Sequence, residues 1–171
     1  MIRKIVALIF LAISISAHAS ETLLEIGSEA PDYLGKDANG GKVYVSELEG
    51  KVIVVSFWAS WCSPCLKELP ILDNIQNHLG LDKVRVIAVN FREDRKTYRK
   101  IKKVFKDTQL TLSHDPKGRI GKKYKVEGIP HLVIIDQQGR IAMQSVGYGE
   151  SVIGEIADTL NELLAHSNSL H

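Results

Sequence analysis

The residues with the clearest chemistry are Cys62 and Cys65, in the stretch Trp61-Cys62-Ser63-Pro64-Cys65, and they are the only cysteines in the 171 residues. A cysteine attacks a disulfide as its thiolate, and a second one nearby closes a small ring that expels the substrate. The flanking segments suit that chemistry. Lys51 to Ala59 (KVIVVSFWA) is β-branched and aromatic with little polarity, the pattern of a strand buried on both faces. From Cys65 onward, apolar residues recur at Leu66, Leu69, Leu72, Ile75 and Leu79 up to Gly80, a helical spacing with Pro70 inside it. Cys62 thus falls at a helix N-terminus, where unpaired N–H groups and the helix dipole favour thiolate over thiol. Pro64 fits the first turn, where a missing N–H costs nothing. A purely structural disulfide here closes a tiny loop and removes little unfolded-state entropy. A zinc site needs two more ligands, yet there is no second CxxC, and His78, His114, His131, His166 and His171 are scattered. Two inert core thiols would leave the strand-to-helix placement without a reason. Thiol–disulfide exchange uses every one of these features.

The elements that must hold this pair follow in alternation. Val84 to Asn90 reads as the next buried strand, and Arg92 to Lys106 as a basic helix with Tyr98, Ile101 and Phe105 on one face. Asp115-Pro116 and Gly118 mark a turn before a short helix, Ile120 to Tyr124. Leu132 to Asp136, Gln137-Gln138-Gly139 and Arg140 to Val146 read as strand, tight turn, strand. A last helix places Val152, Ile153, Ile156, Leu160, Leu163 and Leu164 on one side. This order predicts an α/β protein whose sheet is covered on both faces. No internal repeat, low-complexity stretch or interdomain linker interrupts Ser20 to His171, so a single domain is expected there.

Composition narrows the classes of function. With 44% hydrophobic and 25% charged residues, the chain has the make-up of a soluble globular domain. Its net charge of +2 lacks the cationic excess of a dedicated nucleic-acid binder. The N-terminus reads as an export segment: Arg3 and Lys4, apolar Ile5 to Ile15, then Ser16 and Ala17-His18-Ala19, a small-x-small cleavage pattern. The apolar run is short for a spanning helix, which needs about 20 residues. Met1 to Ala19 is therefore expected to be a cleaved signal; the alternative is an uncleaved N-terminal membrane anchor. Both place the folded part in the periplasm or otherwise outside the cytoplasm. Charge beyond the signal is uneven: Arg92 to Lys125 holds 13 basic and 4 acidic residues, against 6 and 10 in Ser20 to Phe91 and 1 and 6 in Val126 to His171. A basic region of that kind steers acidic partners or lies on anionic membranes, although charge runs on helices are usually solvated faces.

Several motifs together resemble one family. Phe57-Trp58-Ala59-Ser60-Trp61-Cys62-Ser63-Pro64-Cys65 is similar to the active-site stretch of thioredoxin-fold proteins. Gly128-Ile129-Pro130, followed by the strand to Asp136 and Gly139, is similar to that fold's cis-proline loop. The opening Gly27-Ser28-Glu29-Ala30-Pro31-Asp32-Tyr33, Glu68 three residues after Cys65, and the export segment resemble the TlpA/ResA-like thiol–disulfide oxidoreductases, a branch related to the AhpC/TSA proteins. The resemblance runs from about Ile26 to Ala165. It implies a thioredoxin fold, with a mixed central sheet, helices on both faces and an N-terminal extension. It implies Cys62 as the exposed attacking cysteine, Cys65 as the buried resolving one, and a redox-active disulfide between them. Pro130 matches the cis-proline that faces the pair, with Trp61, Ile129 and His131 around the substrate. Glu68 matches a carboxylate that tunes the thiol pKa or accepts a proton. No cofactor and no metal is implied. The implied partners are a client protein with a disulfide or cysteine pair, as in cytochrome c or copper-site maturation, and a membrane electron donor of the DsbD/CcdA type. The chain is expected to act as a monomer, without nucleic acid. Reduction is the expected direction, because relatives in this branch mostly reduce and Ser63-Pro64 lacks the histidine of strongly oxidising homologues.

Two positions depart from the pattern. Thioredoxin carries a buried aspartate on its central strand where this chain has Ser56, which cannot accept a proton at neutral pH. That places the burden on Glu68 or on water. The residue after the cis-proline is usually small and hydroxylic, and here it is His131. Its side chain is expected at the surface, shaping the substrate groove; the alternative is a histidine that makes thiolate stability pH-dependent near neutrality. Two other functions stay open. Peroxiredoxin-like peroxide reduction shares much of the fold, but Ala59 stands where those enzymes carry a threonine. A non-enzymatic, redox-gated binding module would use the basic region to hold a membrane partner.

Overall fold

Seven consecutive buried residues make β3 (Val52–Trp58) the centre of the molecule. The structure is a computed structural model describing residues 23–168, so the expected signal, Met1 to Ala19, lies outside the described residues. Both edges of β3 are hydrogen-bonded, to β4 (Val84–Phe91) in parallel and to β6 (His131–Ile135) antiparallel. A strand so enclosed has no solvent face, which is why its sequence is apolar without alternation. Beyond β4 lies β5 (Thr111–Asp115), parallel to it, and then β1 (Tyr33–Asp37) and β2 (Lys42–Tyr44), both antiparallel to their inner neighbours. Beyond β6 lies β7 (Ile141–Val146), its antiparallel hairpin partner. The seven strands run in the order β2-β1-β5-β4-β3-β6-β7. The β1–β2 hairpin is the expected N-terminal extension, added at β5.

Parity along β3 sorts the core into two layers. Val52, Val54 and Trp58 face one side, where α1 (Ser63–Leu79), α4 (Glu150–Asn168) and the Ile101–Phe105 stretch after α2 (Arg95–Ile101) pack. Ile53, Val55 and Phe57 face the other, against α3 (Arg119–Lys123) and the segment before β1. Ser56 shares the parity of Val54 and Trp58, and so faces α1.

Two expectations about elements are corrected. Arg92 to Lys106 is not one helix. Arg92 takes a left-handed φ of +56°, and Asp94 caps α2 by accepting from Lys96 N and Thr97 N at 2.7 and 3.1 Å. The helix stops at Ile101, and turns follow to Asp107. Like charges four residues apart (Lys96 and Lys100, Arg99 and Lys103, Lys102 and Lys106) oppose its extension. The second correction concerns α1, whose buried face is Cys65, Glu68, Leu69, Leu72 and Gln76, while Leu66 is 36% exposed. Two polar residues on that face displaced the apparent apolar stripe.

Candidate active site

β3 delivers the chain to the site, and α1 begins there. Cys62 is the N-cap of α1, with extended backbone (φ −88°, ψ 94°), and its sulfur accepts from Cys65 N at 3.2 Å. That hydrogen bond and the dipole of α1 favour negative charge on Cys62 once the pair is reduced. Here Cys62 and Cys65 form a disulfide with an S–S distance of 2.04 Å. Cys62 is not exposed as expected but buried, with 4% of its surface accessible against none for Cys65, whereas the neighbouring Trp61 is 70% exposed.

Glu68 lies one turn after Cys65 on the same helix face. It is buried, and its Oε1 accepts from Ser56 Oγ at 2.7 Å. Its Oε2 is buried without a hydrogen-bond partner. Ser56 therefore holds a carboxylate that arrives from α1, rather than supplying one from the strand. Burial pushes the Glu68 carboxyl up to about 7, with the Ser56 hydrogen bond pulling the other way. A carboxyl poised there exchanges protons at neutral pH.

The Ile129–Pro130 peptide bond is cis, as the motif led us to expect. Pro130 is buried and its carbonyl accepts from Gly147 N at 2.8 Å. Ile129 is half-buried and packs against both core layers, including the one that contains the two cysteines.

His131 is not at the surface, and this overturns the groove-shaping role expected of its side chain. It opposes Phe57 in the β6–β3 register, so strand alternation turns its ring to the Phe57 layer, away from the cysteines. The ring is fully buried and sits edge-on to Phe57 at 5.9 Å. Gln144 Oε1 accepts from Leu24 N at 2.8 Å, which leaves Gln144 Nε2 to donate to His131 Nε2 at 2.7 Å. The network thus assigns the imidazole proton to Nδ1. Burial lowers the His131 pKa to about 4. It is neutral at pH 7 and does not titrate near neutrality.

One side chain at this end of the sheet escaped the sequence. Glu93 is 7% exposed, and its carboxylate accepts from Ser60 N at 2.8 Å, from Ser60 Oγ and from Asn90 Nδ2. It ties the end of β4 to the loop that leads into Cys62. In a run of cations a glutamate reads as a surface ion-pair partner. The available signal was its position, two residues past a buried strand. Among the described residues, no three or more His, Cys, Asp or Glu side chains gather as a metal ligand set.

The Redoxin family model matches residues 25–163. The chain belongs to the Redoxin family. Thioredoxin-like protein YneN of Bacillus subtilis is 35% identical to this redoxin over 130 residues, 74% of this chain and 75% of that protein. The thiol-disulfide oxidoreductase ResA of Bacillus cereus is 30% identical over 129 residues, 75% of this chain and 74% of its own. Among solved structures, a Chlorobium tepidum protein named as the thiol:disulfide interchange protein DsbE matches with a TM-score of 0.69 and 32% identity, covering 80% of this chain and 99% of that one. The redoxin has the thioredoxin fold and is a thiol–disulfide oxidoreductase.

Proposed function

We propose that this redoxin is an exported protein-disulfide reductase in which Cys62 attacks, Cys65 resolves and Glu68 takes the proton of Cys65. The observation that carries the proposal is the shared face of α1, where buried Cys65 and buried Glu68 lie one turn apart behind a cysteine that caps the helix. In the reduced protein the Cys62 thiolate attacks one sulfur of the client disulfide. The other client sulfur leaves as a thiolate and is protonated by water. Cys65 then passes its proton to Glu68 and attacks Cys62 Sγ. The client's first sulfur departs, is protonated in turn, and the Cys62–Cys65 disulfide remains. Two electrons have moved from the pair to the client.

Trp61 offers an exposed apolar surface to the client, and the loop that carries the cis Ile129–Pro130 bond offers it backbone. Met1 to Ala19 is read as the export signal, leaving one domain from Ser20 in the periplasm or an equivalent space. Such compartments oxidise thiols, so a membrane donor of the DsbD/CcdA type returns the electrons. The test is a trap. Cys65→Ser, expressed in an exporting host, should retain clients covalently on Cys62 until reductant is added. The purified reduced protein should also reduce a model protein disulfide, one per cysteine pair. Retained activity in Cys62→Ser would refute the assignment of roles, and oxidation of reduced clients in preference to reduction would reverse the direction.

A further inference from the structure

Part of the basic region, Arg92 to Lys125, lines a defined cleft. Arg92, Lys117, Arg119, Lys122 and Lys125 line a space of about 410 Å³, with Glu127 as its one carboxylate. Lys125 Nζ donates to the Leu23 carbonyl at 2.8 Å. Arg92, Lys117, Arg119 and Lys122 have no carboxylate within 4.0 Å among the described residues. The acidic side chain that precedes Lys117, Arg119 and Lys122 in the chain is spent elsewhere. Asp115 is 3% exposed, and its carboxylate accepts from Arg119 N, Ile120 N and Gly121 N at 2.8, 3.0 and 2.9 Å. Its charge caps α3 from below and leaves the cations above facing solvent.

Arg92 is built into this arrangement. Its guanidinium lies over the Phe91 ring at 4.8 Å, and its backbone holds a φ of +56° that non-glycine residues seldom adopt. A Cβ at Gly118 would stand 2.6 Å from Arg92 Nε, so a glycine there is what lets the side chain lie across the turn. The cleft also adjoins the redox site. Val126 and Glu127 line it, and the chain passes from Glu127 directly into Gly128, Ile129 and Pro130. Arg92 follows the last residue of β4, whose neighbour β3 leads to Cys62. The cleft therefore opens at the disulfide end of the sheet, on the α3 side.

We infer that this cleft receives an acidic segment flanking the client disulfide while the client backbone lies along Ile129 and Pro130. The inference rests on the disulfide-reductase reading above and adds a preference among clients. Cations not neutralised by a neighbouring carboxylate accelerate encounter with an acidic chain, and that acceleration is screened by salt. The two guanidinium groups, of Arg92 and Arg119, also match carboxylates in a bidentate fashion.

The experiment uses three peptide disulfides identical except for flanking residues rich in Glu, Gln or Lys, reduced by the full mature protein in single turnover. At low ionic strength the Glu peptide should react about tenfold faster than the Gln peptide, the Lys peptide should be slowest, and high salt should bring the rates together. Lys117→Gln/Arg119→Gln/Lys122→Gln, all exposed positions, should bring the Glu-to-Gln ratio close to one and leave the Gln peptide rate unchanged. Arg99→Gln/Lys100→Gln/Lys103→Gln, on and after α2, should leave the ratio as it was. A wild-type ratio of one, or an equal loss from the α2 variant, would overturn the cleft as the docking site. Wild-type affinity for anionic phospholipid vesicles that the cleft variant loses, with a peptide ratio of one, would assign the cleft to a membrane and also overturn the inference. Failure to reduce even the Gln peptide is a different result, one that strikes the reductase reading itself.

Discussion

Glu68 carries a carboxyl raised to about 7 because burial strips it of water and only one of its oxygens is hydrogen-bonded. At neutral pH a substantial fraction is therefore carboxylate, ready to accept a proton from a group on its own helix face. Glu68→Gln keeps the shape and the contact with Ser56 but cannot take the proton. Attack by Cys62 should be unchanged, while resolution by Cys65 slows by about a hundredfold and the mixed disulfide accumulates in rapid-quench samples. The inflection near pH 7 in the resolution rate should vanish with it. Unaltered resolution kinetics would remove Glu68 from the proton path. The sulfurs themselves give a companion prediction. In the reduced protein, alkylation at mildly acidic pH should label Cys62 first, because Cys62 caps the helix and Cys65 is fully shielded. Preferential labelling of Cys65 would exchange their roles. Cys62 and Cys65 are legible from their spacing at a strand-to-helix junction, and Pro130 only from the resemblance of its loop to the cis-proline motif. The side of the sheet that His131 faces was not legible, since it follows from its register opposite Phe57, a pairing between strands 74 positions apart that no local pattern records.

Among the elements, the junction of β4 with the loop before α1 depends on Glu93. Its carboxylate answers Ser60 N–H, the Ser60 hydroxyl and Asn90 Nδ2, all in largely buried surroundings. Glu93→Ala leaves those donors without an acceptor and should cost about 3 kcal/mol of stability in urea unfolding. Ser60→Ala removes the hydroxyl alone and should cost about 1 kcal/mol. A smaller loss for Glu93→Ala than for Ser60→Ala would show that water replaces the carboxylate. The strands and helices with strong apolar patterns (β3, β4, β6, β7, α1 and α4) could be read directly, within a few residues at their ends. β5 could not, because Thr-Leu-Ser-His-Asp holds a single large apolar residue and carries no strand pattern of its own. Ser113 Oγ donates to the Leu34 carbonyl at 2.7 Å, and Asp115 caps α3, so the buried polar groups are satisfied only by distant or later segments. The helix in the basic region is shorter than its run of cations suggests, because Asp94 and the left-handed Arg92 set its start.

Across the whole molecule, two buried titratable side chains on opposite faces of the sheet act on stability in opposite senses. Glu68 titrates at about 7 in the folded, disulfide-bonded protein against an ordinary 4.5, and His131 at about 4 against an ordinary 6.5. Folded Glu68 keeps a proton that the unfolded chain releases, so its contribution falls as pH rises from about 4.5 through about 7. Unfolded His131 takes a proton that the folded chain refuses, so its contribution is present above about 6.5 and is lost as pH falls through about 4. Between about 4.5 and 6.5 the two slopes oppose each other. Asp94, lowered to about 2 by its hydrogen bonds to Thr97 and Lys96, acts below that window. Relative to the wild type, Glu68→Gln should gain stability with rising pH across the window by about 1.4 kcal/mol per pH unit. His131→Gln should lose stability at a similar rate, whatever the substitution costs in absolute terms. The double variant should return to the wild-type slope, because the two groups sit in separate core layers and share no partner. Urea unfolding of the disulfide form at three pH values within the window measures all four slopes. Parallel curves for wild type and Glu68→Gln would mean that the Glu68 proton is not linked to folding, and a double variant that departs from the wild-type slope would mean that the two faces of the sheet are coupled.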